Sequence, residues 1–174
     1  DNMTALLKTV MPGSMTITST DIDHGAFMSK KHEADLFGGD GDNISPHLAW
    51  SGAPEGTKAY AVFCYDPDAP TGSGFWHWQL INIPADVTEL ATDAGSSDST
   101  NIPAGSFQKT NDYGTVGFGG ACPPEGHIAH RYQFTVYALS DKLDIPEEAS
   151  SAVAGFMVNA HALASVTLEA LYKR

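Results

Sequence analysis

The segment AYAVFCYDPDAP, residues 59–70, is the most informative part of the sequence for the fold. Its first seven residues are apolar and favour a β-strand, which predicts a strand buried in the core. Pro67 and Pro70 fix φ and lack a backbone N–H group, so the strand cannot continue through them. We therefore expect Asp66 and Asp68 to be held at the mouth of a buried strand.

A turn at 71–74 separates this strand from a second one, predicted for FWHWQLINI at 75–83. Strand side chains alternate, so each face of the second strand receives its own set: Trp76, Trp78 and Leu80 on one, and Phe75, His77 and Gln79 on the other. A hairpin through the turn would return His77 towards Asp66 and Asp68. By themselves, two carboxylates and one histidine around an Asp-Pro turn are more often structural than functional.

A glycine-rich segment, YGTVGFGGACPPEG at 113–126, supplies a second candidate part of a site. Gly117, Gly119 and Gly120 would expose backbone amides, and successive amides can form a nest that binds anions. The segment lacks the Gly-Lys-Ser/Thr sequence of a P-loop. We therefore predict an anion-binding loop and not a nucleotide-binding one.

A strand is predicted for HRYQFTVYAL at 130–139, directly after this loop. Its two-residue period places His130, Tyr132 and Phe134 on one face. A lone histidine on a strand is usually structural, but this one is in phase with a tyrosine beside a glycine-proline loop. We therefore predict that His130 and Tyr132 join the two aspartates and His77 in one site.

The remaining pattern favours a mainly antiparallel β architecture. Further strands are predicted at 14–19, 47–50 and 166–172, and a long surface excursion at 84–111. One helix is predicted over 145–164, with Asp144 as N-cap and Glu147 three residues later in the spacing of a capping box.

The charge and the apolar content of the chain disfavour some classes of function. The chain has 21 acidic and 9 basic residues and a net charge of −12, without a basic patch, which disfavours nucleic acid as a partner. No apolar run reaches the length of a transmembrane helix. We expect one domain over 14–174 after an N-terminal extension at 1–13 that lacks the features of an intact signal peptide. A cytoplasmic location is expected, and a periplasmic or secreted one stays open if a signal peptide was removed.

The two cysteines have separate roles in this interpretation. Cys64 lies inside the buried apolar run, where a reduced thiol packs like a small hydrophobe. Cys122 lies in the glycine-rich loop and is expected to be the more reactive thiol. Their spacing matches no metal-binding motif, and neither a metal nor a cofactor is expected.

Several spaced motifs carry a resemblance to a known family. They are DNISP at 42–46, DPDAP at 66–70, WHW at 76–78, NIP at 82–84, PPEG at 123–126 and HRYQF at 130–134. Together they resemble the phosphatidylethanolamine-binding protein family, and within it the bacterial Raf-kinase-inhibitor-like branch. The resemblance extends over residues 14–172. One departure is that a single histidine follows Trp76, where eukaryotic members usually carry a His-His pair.

The resemblance implies an antiparallel β-sandwich-like fold with a large central sheet, a smaller sheet and a C-terminal helix. It also implies a small pocket that binds a phosphate-bearing or carboxylate anion without catalysis. By matching position, the ligand-binding residues would be Asp66, Asp68, His77, Gly120, Cys122, Pro123, Pro124, His130 and Tyr132. A homodimer is implied as well.

Two other functions stay open. Some family members regulate kinases or proteases, so the pocket rim could instead inhibit such a protein partner. A strand followed by Asp-x-Asp also begins haloacid-dehalogenase-type phosphatases, in which Asp66 would be the nucleophile and Asp68 the acid/base, with Mg²⁺ nearby. That chemistry normally lies in a βαβ sheet, and no helix is predicted after this strand.

Overall fold

Eight β-strands and one α-helix form the regular structure of residues 15–174, the part of the chain that the computed structural model describes. The strands are β1 Thr16–Thr18, β2 Leu48–Ser51, β3 Ala59–Asp66, β4 Phe75–Pro84, β5 Glu89–Leu90, β6 Phe107–Gln108, β7 His130–Leu139 and β8 Ala162–Tyr172. The helix α1 spans Ser151–His161, and a turn of 3₁₀ helix spans Lys30–His32. The predicted N-terminal extension, residues 1–13, lies outside the described residues.

β3 lies at the centre of the larger sheet. Its five strands have the order β6-β4-β3-β7-β8, and all neighbours are antiparallel. The smaller sheet has three antiparallel strands in the order β1-β2-β5. The prediction of a mainly β fold, with a large central sheet, a smaller sheet and a C-terminal helix, is confirmed.

The core covers both faces of the larger sheet. On one face, Val62 and Phe134 pack with Leu48 of the smaller sheet. On the other face, Phe63 packs with Val158 of α1. Because β3 is covered on both faces, its sequence is continuously apolar and does not alternate. The prediction of a buried strand before Asp66 is therefore confirmed.

α1 is shorter than the helix predicted over 145–164. It begins after Ser150, whose hydroxyl accepts a hydrogen bond from the N–H group of Val153, so Ser150 is the N-cap and Asp144 is not. At the other end, Ala162 adopts an extended conformation and begins β8. β8 therefore starts at Ala162, whereas the prediction placed the start of the last strand at residue 166.

Residues just before α1 stay out of the helix for a local reason. Pro146 disfavours helical backbone at the residue before it. The ammonium group of buried Lys109 then donates to the carbonyl oxygens of Pro146 and Glu147, at 3.1 and 2.7 Å. These bonds hold the segment as a turn packed against the larger sheet, and the predicted capping box at Glu147 does not form.

The predicted surface excursion at 84–111 contains two short strands. β5 pairs with β2 at the edge of the smaller sheet, and β6 pairs with β4 at the edge of the larger sheet. Two residues are too few to show a periodic pattern, so neither strand could be predicted from the sequence. No helix among residues 15–174 is long and apolar enough to cross a membrane.

Candidate functional site

A β-bulge in β4 aims His77. Cys64 pairs with Trp78 and the next residue of β3, Tyr65, pairs with Trp76, so His77 is an extra residue on β4. Trp78 therefore packs towards the smaller sheet while Trp76 packs on the side of α1. The prediction that these two tryptophans share a face is wrong, because the bulge interrupts the two-residue alternation.

The bulge also separates Gln79 from His77. The Gln79 amide donates to the carbonyl of Ser151 in α1, at 3.0 Å, on the far side of the sheet. His77 stays with Phe75, as predicted, and their ring centroids are 4.8 Å apart. The His77 ring also lies 5.2 Å from the ring of Tyr132 on β7.

A cavity of about 170 Å³ lies at the end of β3. Antiparallel pairing places the end of β3 beside the starts of β4 and β7, so side chains from three strands meet there. The lining residues are Asp66, Ala69, Pro70, Thr71, Phe75, His77, Tyr113, Cys122, Pro123, Pro124, His130 and Tyr132. We call this space the site cavity.

A buried acid–imidazole pair forms one wall of the site cavity. Oδ2 of Asp66 lies 2.7 Å from Nδ1 of His130, and the two side chains are 2% and 1% exposed. The other carboxylate oxygen, Oδ1, accepts the backbone N–H of Asp68 at 2.8 Å. Both oxygens of Asp66 therefore have protein donors, and the carboxylate fixes the orientation of the His130 ring.

His77 is oriented by the backbone. Its Nδ1 lies 2.8 Å from the carbonyl oxygen of Gly119, and because a carbonyl only accepts, Nδ1 carries the hydrogen. Burial lowers the pKa of His77, although the Gly119 carbonyl and the nearby Asp66 act in the opposite direction. His77 is therefore a neutral imidazole at neutral pH, with Nε2 outside the bond to Gly119.

Two tyrosine hydroxyls complete the polar lining. Burial raises the pKa of Tyr113 and of Tyr132, so both phenols stay protonated. Tyr113 donates to the carbonyl oxygen of Gly120 at 2.7 Å. For the Tyr132 hydroxyl, residues 15–174 provide no hydrogen-bond partner, so it is free to donate into the site cavity.

The predicted anion nest in the glycine-rich loop does not form. The N–H groups of Gly117, Gly119 and Gly120 donate to Lys109 O, His77 O and Asn43 Oδ1. Close packing explains the glycines instead. A Cβ atom at Gly119 would lie 2.4 Å from the ring of Tyr113, so only glycine lets this ring reach the site cavity.

A sequence model described as phosphatidylethanolamine-binding protein matches residues 18–173. The chain belongs to the phosphatidylethanolamine-binding protein family. The resemblance predicted from the motifs is thereby confirmed at the level of the family.

Relatives in Escherichia coli strain K12 are similar over most of the chain. The UPF0098 protein YbcL is 49% identical over 158 residues, which cover 90% of this chain and 86% of YbcL. The UPF0098 protein YbhB is 47% identical over 159 residues, 91% of this chain and 99% of YbhB. The crystal structure of E. coli YbcL, described as a new member of the mammalian PEBP family, matches with a TM-score of 0.91 and 48% identity, covering 93% of this chain and 99% of that one.

Most of the predicted site residues of this family member come together. Asp66, His77, Cys122, Pro123, Pro124, His130 and Tyr132 all line the site cavity. Gly120 does not line it and instead supports Tyr113 through its carbonyl group.

Asp68 also lies outside the site cavity lining. Its carboxylate accepts two hydrogen bonds from the Arg131 guanidinium, at 2.9 and 3.0 Å, and one from the Arg131 backbone N–H at 2.9 Å. The Arg131 side chain lowers the pKa of Asp68, the expected effect of a cation that donates hydrogen bonds. Asp68 therefore ties the DPDAP turn to the start of β7.

Sequence reasoning missed several contributors. Ala69, Thr71, Phe75 and Tyr113 also line the site cavity, and Nδ1 of His127 lies 2.5 Å from Nε2 of His130. The signal for His127 was its spacing of three residues from His130 in the segment HIAH. No group of three or more His, Cys, Asp or Glu side chains within 15–174 is arranged to hold a metal ion.

Proposed function

We propose that this family member is a non-enzymatic binding protein for a small anion, a phosphate-bearing or carboxylate group held in the site cavity. One observation carries the proposal. Each oxygen of the buried Asp66 accepts a hydrogen bond from the protein, so the carboxylate orients His130 and its negative charge is partly offset before a ligand arrives. The groups left to face a ligand are imidazoles and a phenol.

These groups can supply hydrogen bonds to an anion. The Tyr132 hydroxyl donates as a neutral phenol. His77 accepts at Nε2 when neutral and donates there when protonated, so it accommodates a protonated ligand oxygen at neutral pH and an ionised one in acid. Charge-assisted bonds of this kind are the stronger ones.

The size and walls of the site cavity favour a compact ligand. A volume of about 170 Å³ suits a headgroup-sized molecule. Pro70, Phe75 and Pro124 give it apolar walls, which would contact the carbon atoms next to the charged group. The net charge of −12 would repel anions at long range, so binding must depend on these local contacts.

The same geometry disfavours the phosphatase alternative. Each oxygen of Asp66 already accepts one hydrogen bond, from the Asp68 N–H at Oδ1 and from His130 at Oδ2, and these bonds lower the nucleophilicity of the carboxylate. An acid/base at Asp68 needs access to the substrate, but its carboxylate is held by Arg131 outside the site cavity. Production of phosphate from p-nitrophenyl phosphate with Mg²⁺, lost in Asp66→Asn, would reverse this conclusion.

Inhibition of a kinase or protease is the second candidate function. It is favoured by exposed apolar residues near the site cavity: Phe37 is 71% exposed and stacks on Tyr113, and Ile128 is 70% exposed beside His127. A protein partner contacting this rim should lose affinity for Phe37→Ser and keep it for Phe156→Ser, which alters an exposed phenylalanine on α1.

Calorimetric titration tests the binding proposal. Phosphoethanolamine, inorganic phosphate and acetate are titrated at pH 5.5 and pH 8. We expect tighter binding at pH 5.5, since imidazoles that gain a proton become donors. His77→Ala or His130→Ala should weaken binding by about 1–3 kcal/mol, the cost of a lost charge-assisted hydrogen bond. Equal affinity for all proteins at both pH values would refute the proposal.

A further inference from the structure

His130 uses both of its ring nitrogens within the protein. Nδ1 faces the Asp66 carboxylate, which only accepts, so Nδ1 carries a hydrogen. In the neutral ring Nε2 is therefore the acceptor, and the atom 2.5 Å from it is Nδ1 of His127, which must then donate. The nitrogen that His130 could offer to a ligand is already occupied.

We propose that His127 is a gate on the site cavity: it competes with the anion for Nε2 of His130 and is displaced when the anion binds. This inference rests on the proposed function. It assigns a role to a residue that does not itself line the site cavity, and it explains how an anion can reach a histidine whose nitrogens are both engaged.

His127 is the partner able to move. The His130 ring is 1% exposed and fixed by Asp66, whereas the His127 side chain is partly exposed. His127 belongs to a turn in which its N–H donates to the carbonyl of Pro124 at 3.1 Å. Rotation of the His127 side chain into solvent breaks its contact with His130 and leaves this turn intact.

The groups around the two rings of the gate fix which ring nitrogen carries a hydrogen. Asp66 of β3 and His77 of β4 face the pair from the sheet, while Asp68 is bound to Arg131 beside it. At the rim, Glu125 and Arg174 form an ion pair of 3.9 Å. Asp66 is thus the one carboxylate within 15–174 that bonds to either ring, and it holds the proton on Nδ1 of His130.

Inorganic phosphate is the probe for the test. At pH 7, His127→Ala should bind phosphate about five- to tenfold more tightly than the wild type, the factor that one competing hydrogen bond imposes. His127→Asn, whose amide can donate in place of Nδ1–H, should return the affinity towards that of the wild type. Ile128→Ala, beside the gate, and His161→Ala, at the end of α1, should leave it unchanged.

A second measurement uses the wild-type protein alone. The ¹⁵N signals of His127 should shift towards those of a solvent-exposed imidazole as phosphate saturates the site, while Nδ1 of His130 keeps its proton. Unchanged His127 signals at saturation would overturn the gate even if His127→Ala does not fold.

The outcomes separate the two proposals. Phosphate that binds the wild type but binds His127→Ala equally well or more weakly overturns the gate and leaves the proposed function standing. Absence of phosphate binding by both proteins overturns the proposed function and the gate together. Tighter binding by His127→Ala with rescue by His127→Asn supports both.

Discussion

Replacing Asp66 with alanine tests whether this carboxylate holds the site together. The substitution removes the acceptor for two N–H groups, Nδ1–H of His130 and the backbone N–H of Asp68. The His130 group is buried and would have no other partner among residues 15–174, while the Asp68 group is only partly buried and can be hydrated in part.

The magnitude follows from these two losses. An orphaned buried donor costs about 1–3 kcal/mol, and a lost ordinary hydrogen bond costs about 0.5–1.5 kcal/mol. We therefore expect Asp66→Ala to lower the free energy of unfolding by about 1.5–4.5 kcal/mol. Asp66→Asn should cost about 1 kcal/mol, because its oxygen still accepts from Asp68 and its amide can donate to the other tautomer of His130.

Urea denaturation at pH 7 measures both variants. Asp86→Ala is the matched control, since Asp86 is an exposed aspartate in the turn after β4. The control should lie within about 0.5 kcal/mol of the wild type. An Asp66→Ala protein equally close to the wild type, or an Asp66→Asn protein as unstable as Asp66→Ala, would show that the Asp66 carboxylate does not stabilise the site.

Three further predictions concern titration, thiol reactivity and assembly. Burial lowers the pKa of His77 below its usual value of 6.5. As the pH falls through 6.5, this histidine therefore binds a proton in the unfolded chain before it does so in the folded chain, and acid reduces the stability of the folded state. The stability advantage of the wild type over His77→Gln should therefore shrink between pH 7 and pH 5, and NMR titration of the ring should give a midpoint below 6.5. Cys64 is 1% exposed and its thiol has a pKa raised by burial, so a thiol reagent should label the partly exposed Cys122 first and reach Cys64 only on unfolding. Fast labelling of Cys64 in the native protein would contradict this. Finally, light scattering at micromolar concentration should give the mass of a homodimer, and a monomer mass would reject that prediction.

Local pattern was sufficient for the strands that build the site. The continuous apolar run of β3 and the alternation of β7 are properties of short segments, and both were predicted close to their observed bounds. The predicted start of α1 was wrong, because Lys109, which is distant in sequence, holds the carbonyls of Pro146 and Glu147 in a turn. Propensity within the helix carries no information about such a bond.

Local pattern also predicted part of the candidate site. Asp66, His77, His130 and Tyr132 follow from a strand end, a hairpin and a two-residue period, and the structure brings them to one cavity. Asp68 has the same residue type and nearly the same position in the chain as Asp66. Its side chain is directed elsewhere by Arg131 on β7.

Fold class, family and the strands that carry the site can therefore be predicted from the sequence alone, since periodicity and motifs are encoded locally. Three features arise only in the folded chain: the bulge that orients His77, the close packing that engages the glycine amides, and the contact between His127 and His130. Each of these depends on the register or the approach of segments that pack side by side, and the free energy that fixes them comes from packing and hydrogen bonds formed only in the folded chain.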